Sequence, residues 1–109
     1  MQQRAPVYLV GIESKQAETI KTVLQFVGEQ CDVVKSDDLL SRVHDVNPLA
    51  IIYGGSLSDT LLKSFSNIPF LTLNGAESEL KDNHLGLLTL PIEYEQLTQL
   101  LHYCQSFHN

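Results

Sequence analysis

Basic residues are scarce in this chain of 109 and stop early: there are seven Lys and Arg, none beyond Lys81. A nucleic-acid face needs clustered cations to neutralise phosphates. Seven scattered ones, within a formal net charge of -6, do not make one. Direct nucleic-acid binding is therefore not expected, whereas an acidic domain suits a basic partner or simply stays soluble. Long apolar runs are missing as well. No stretch approaches the roughly 18 residues of a membrane span, and the opening "MQQRAPVYLVG" has too short an apolar segment for a secretory signal. A cytoplasmic chain without membrane contact is expected. Cysteine is limited to Cys31 and Cys104, with no CxxC and no zinc spacing. Cys104 and His108 are four apart and would share a helix face, with His102 nearby. A structural zinc site wants four ligands, so buried apolar thiols are the simpler reading, and no metal or cofactor is expected.

What is present is an alternation of strands and helices, with 43% apolar residues and enough length for one domain over 1–109. "PVYLVGI" reads as a buried strand. In the following "ESKQAETIKTVLQFVG", Ala17, Ile20, Leu24 and Val27 recur at helical spacing, widened by Val23 and Phe26. Ser14 is expected to cap that helix and Gly28 to end it in the left-handed conformation. "QCDVVKS" is more polar, as an edge strand would be. Ser36 and Asp37 start a short helix that stops at Asn47-Pro48. "LAIIY" has the unbroken apolar character of a central parallel strand. "SLSDTLLKSFSN" is a third helix and "IPFLTLN" a fourth strand. "GAESELKDNHLG" holds few apolar residues and reads as a loop or one or two helical turns. "LLTLP" is the fifth strand and "EYEQLTQLLHYCQSFHN" the last helix. This order implies α/β architecture, a five-stranded parallel sheet with helices on both faces, in the flavodoxin-like order 2-1-3-4-5. The chain stops within a helix, as expected of the N-terminal module of a longer protein.

Ligands in such sheets meet the C-terminal ends of the strands, and here those ends offer little chemistry. Gly54-Gly55-Ser56 resembles a phosphate-cradling loop only weakly: no Lys follows, and a tight turn needing permissive backbone explains it. Glu13 alone is one carboxylate where a magnesium site needs several oxygens. Tyr53 presents an aromatic ring with a polar tip, and Asp59 falls further on, in the next helix.

Over nearly its whole length the pattern resembles the response-regulator receiver domain. That resemblance implies an acidic pair after the first strand, an Asp acceptor ending the third, a Thr or Ser ending the fourth and a Lys before Pro ending the fifth. Carboxylates and magnesium would hold the incoming phosphate, and the Lys and hydroxyl would respond to it. Here the acidic pair falls on Gly11 and Ile12, the acceptor on Gly54 (Tyr53 if the register slips by one), the hydroxyl on Asn74 and the lysine on Leu90. The frame stays and the chemistry is gone. Ile12, Tyr53 and Leu90 would fill the site by burying one another, and the resemblance implies a cis Leu90-Pro91 bond. "LVGIESKQAETIKTVLQFVGEQCDVV", with "VLQFVGEQ" its most specific part, and the "LPIEYEQLTQLL" tail resemble more narrowly the N-terminal domain of the FleQ/FlrA flagellar regulators. These are sigma-54-dependent transcription activators with a central AAA+ ATPase and a helix-turn-helix. Neither a GxxxxGK[ST] loop nor a helix-turn-helix occurs here.

The resemblance therefore implies a two-component-like regulatory domain that is neither phosphorylated nor an enzyme and acts through protein contacts. A receiver with an unusual acceptor, or a small nucleotide- or ligand-binding domain on the same fold, are the alternatives. Partners expected are a second copy, giving a dimer, the AAA+ module of the full-length protein and a further regulatory protein. In the last helix, Leu97, Leu101 and Cys104 form one stripe for the core. Leu100, Tyr103 and Phe107 form a second stripe, which either widens the buried face or serves as an interface.

Overall fold

A computed structural model describes residues 5–54, 59–73, 83–88 and 93–107. Asn74, Leu90, Pro91, Gly55, Ser56 and His108, and with them the cis bond and the turn proposed there, lie outside the described residues, as does the Phe107 side chain. Among the described residues strand and helix alternate up to β4, after which β5 is the next element: β1 (Val7–Val10), α1 (Ser14–Phe26), β2 (Cys31–Val34), a 3-10 turn at Ser36–Asp38 running into α2 (Leu39–Asp45), β3 (Ala50–Tyr53), α3 (Asp59–Ser64), β4 (Phe70–Leu73), β5 (His84–Leu88) and α4 (Tyr94–Phe107). All pairings are parallel and the strand order is 2-1-3-4-5, as the alternation required.

The period of two along a strand explains why both faces need covering. In β1, Val7 and Leu9 point into one core layer, with Ala17, Ile20 and Leu24 of α1 and Leu97, Leu101 and Cys104 of α4. Tyr8 and Val10 point into the other, with Leu39 and Val43 of α2 and Phe65, Ile68 and Phe70. In β3 the same split sends Ala50 and Ile52 one way and Ile51 the other. A strand buried on both faces has no polar side to show, so it reads as an unbroken apolar run. Each such fully buried aliphatic side chain contributes about 1.5–3 kcal/mol. β2, at the edge, alternates poorly: Cys31 and Val34 are buried while Asp32 and Val33 face water.

Three local expectations are resolved. Gly28 takes φ +85°, with its N–H donating to the Gln25 carbonyl and that of Glu29 to the Leu24 carbonyl. These two bonds are the Schellman closure of α1. Ser14 does not cap α1: Glu13 holds the capping position with extended backbone, and no side-chain capping bond forms. β5 begins at His84, three residues before the strand read from "LLTLP". It pairs with β4 through a shifted register, Phe70 opposite His84 but Leu71 opposite Gly86, so Leu85 is the extra residue of a bulge. The entry to β5 is held by Asn83. This buried side chain donates from Nδ2 to the carbonyls of Phe65 (2.8 Å) and Ile68 (2.9 Å), while the main-chain carbonyl of Asn83 accepts the Phe70 N–H at 2.6 Å.

Candidate functional site

The C-terminal ends of β1 and β3 lie side by side, with Val10 in register with Tyr53. Beyond them the Gly54 N–H donates to the Val10 carbonyl at 2.9 Å, which extends the pairing by one residue. Gly11 then turns the chain with φ +67°, a left-handed conformation that a side chain disfavours. This turn brings the loop between β1 and α1 directly over Gly54. A Cβ placed on Gly54 would collide with the Gly11 carbonyl oxygen, and would stand 2.8 Å from the Gly11 carbonyl carbon and 3.1 Å from the Ile12 Cα. These neighbours are backbone, so they cannot swing aside as a side-chain tip does.

The side chains around this point are spare. Gly11 and Glu13 are exposed, and Ile12 is half-buried. Ile12 packs against the layer of α1 and α4, whereas Tyr53 packs against the opposite layer. The expectation that Ile12 and Tyr53 bury one another is therefore corrected. Tyr53 ends β3, whereas Ile12 lies beyond the end of β1 and past the left-handed turn at Gly11, which carries it to the other face of the sheet. Contact between the loop and β3 is made by backbone instead. Asp59 opens α3 downstream. Among the described residues, no three His, Cys, Asp or Glu side chains gather to hold a metal.

The second stripe of α4 divides. Leu100 is half-buried and packs with the core layer beside Gly86 of β5, where a Cβ on that glycine would press on Leu100. Of the two readings of this stripe, Leu100 follows the first and widens the buried face. Tyr103 remains outside, 63% exposed. It shares one helix face with Tyr94, Glu95, Thr98, Gln99 and His102, and that face lines a shallow surface cavity. The Tyr94 ring meets Phe26 edge-on at 5.5 Å, and Phe26 is itself 80% exposed. Sequence reading placed Phe26 in the α1 stripe and gave Tyr94 no role. Cys104 is buried while its neighbour His102 is exposed, so the two do not share a face.

The fold is that of response-regulator receivers. A CheY-like receiver domain from Methylobacillus flagellatus superposes with a TM-score of 0.72 at 21% identity, over 94% of this chain and 99% of that one. The apo receiver domain of nitrogen regulatory protein C gives 0.72 at 15% identity, over 96% and 97%. NtrX from Brucella abortus gives 0.71 at 14% identity, over 95% of this chain and 28% of that longer one. No curated protein sequence matches significantly. The family model "Flagellar regulatory protein FleQ" matches residues 6–106. The chain belongs to the FleQ family of flagellar regulatory proteins.

Proposed function

We infer that this chain is a pseudo-receiver: a regulatory domain of a sigma-54-dependent activator of flagellar gene transcription that keeps the receiver frame without phosphoryl transfer. Position 54 carries the reading. A phosphoryl acceptor at the end of β3 needs a carboxylate, and Gly54 has neither a side chain nor room for one. The metal that would accompany it needs several oxygen ligands. Gly11 and Ile12 offer no side-chain oxygen, and Glu13 adds a single exposed carboxylate. Asn74 and Leu90, at the positions of the hydroxyl and the lysine, extend the same loss.

Output then passes through protein contacts in the cytoplasm, with a second copy, with the AAA+ module of the full-length protein and with a further regulatory protein. Tyr103, Tyr94 and Phe26 support this, since large aromatics left on a surface are enriched at interfaces. The deciding experiment exposes the chain to acetyl phosphate, or to beryllofluoride with Mg²⁺. The mass and the amide spectrum are expected to stay unchanged, and a phosphorylated product would refute the reading. Deleting residues 1–109 from the full-length protein is expected to alter its ATPase rate or its assembly state.

A further inference from the structure

We propose that Gly11 and Gly54 form a closed backbone latch that fills the acceptor volume and ties the end of β3 to the start of α1 without any ion. The proposal rests on the reading of these positions as a former phosphorylation site, but it makes a separate claim. Loss of carboxylates would leave an open, inert pocket. The structure has instead a loop folded into the space.

Three features act together. The left-handed Gly11 aims its carbonyl at position 54. The bare Gly54 accepts that approach, and its N–H is held by the Val10 carbonyl at 2.9 Å. Ile12, anchored in the layer of α1 and α4, keeps the loop from lifting. One residue on, the Glu13 carbonyl accepts the Ala17 N–H at 2.8 Å, the first bond of α1. Any group added to Gly54 therefore pushes on Gly11 and Ile12, and through Glu13 on the helix. Because both contact surfaces are backbone, no rotamer change relieves the push. This end of the domain is a fixed part of the regulatory surface, closed to small anions, rather than a switch.

The test uses the full chain and reads amide hydrogen exchange over residues 10–17. Gly54→Ala carries no charge and tests volume alone. Exchange is expected to rise about tenfold or more over that segment, since a displaced loop opens locally. Gly28→Ala is the control: it adds the same methyl group in open space, with the further strain of a positive φ of +85° that Gly54 does not have. Its exchange near residues 10–17 is expected to stay as in the parent. Unchanged exchange in Gly54→Ala overturns the latch. Should Gly54→Ala fail to fold, titration of the parent with inorganic phosphate and Mg²⁺, followed by amide shifts, decides. No change at residues 11–13 and 53–54 supports a filled volume, and saturable shifts there overturn it. The two readings fail separately. Phosphorylation of the parent by acetyl phosphate refutes the pseudo-receiver, whereas an inert parent with a silent Gly54→Ala refutes the latch alone.

Discussion

Cys104 has no exposed surface and Cys31 keeps 9% of its own, and both thiols are free. Burial pushes the Cys31 thiol up to about 11, even though Lys21 pulls the other way, and the Cys104 thiol up to about 12. A thiol that holds its proton more tightly when folded adds stability that is complete below the unfolded value of about 8.5. That stability is lost as pH rises through the folded value, because the unfolded chain then releases the proton first. The urea midpoint is thus expected to be insensitive to the thiols near pH 7 and to fall from about pH 9 upward. In the Cys31→Ala/Cys104→Ala chain that alkaline fall should be shallower, and an identical fall would show that other groups drive it. Gly86 offers a second residue-scale check. Its missing Cβ makes room for Leu100, so Gly86→Ala should cost about 1–3 kcal/mol by overpacking. A side chain, unlike the backbone over Gly54, can be trimmed. Adding Leu100→Ala should recover part of that loss, measurable as a non-additive double-mutant cycle.

Among the elements, α2 is short, at seven residues, and ends under the control of a strand. Tyr8 of β1 is 1% exposed, and its hydroxyl donates to the Val46 carbonyl at 2.8 Å, with the Arg42 carbonyl at 3.3 Å. The Arg42 guanidinium lies 5.6 Å from the same ring and reaches Asp32 of β2 at 3.3 Å. That ion pair is about half exposed on both sides and adds little. The buried hydroxyl matters more, since Tyr8→Phe strands a carbonyl at the helix end. A loss of about 1 kcal/mol in chemical unfolding is expected, with Asp32→Asn close to neutral. In α4 the two faces should separate cleanly. Leu101→Ala removes a core side chain and should cost about 2–5 kcal/mol. Tyr103→Ala should leave the melting temperature nearly unchanged while weakening self-association in sedimentation. A large loss of stability from Tyr103→Ala would contradict its exposed placement.

For the molecule as a whole, the closed site predicts indifference to divalent cations. A ligand that binds only the native state raises stability by mass action. The melting temperature with and without about 10 mM Mg²⁺ is therefore expected to coincide. A rise of several degrees would reveal a site that the backbone contact should exclude.

Much of this architecture was legible in the residues alone. Val7–Val10 and Ala50–Tyr53 are apolar throughout because a parallel strand is covered on both faces, and that pattern needs no knowledge of neighbours. Gly28 likewise announced the end of α1, since the left-handed cap is a local demand. That Gly11, Ile12 and Gly54 bring no side-chain oxygen was also readable, because an absent carboxylate is absent in any fold. Non-local packing decided the rest. Gly86 looked like a loop residue until Leu100 was found beside it, and β5 accordingly began earlier than its apolar run. Asn83 gave no signal, because its worth lies in carbonyls 15 and 18 residues away. Leu100 and Tyr103 shared a stripe on paper, and only the seat of α4 against β5 sent one inward and left the other in water. That Gly54 is filled rather than merely bare depends on where the chain turns at Gly11, forty-three residues earlier. Periodicity encodes which way a side chain points within its own element. Which atoms it meets there is set by how distant elements dock.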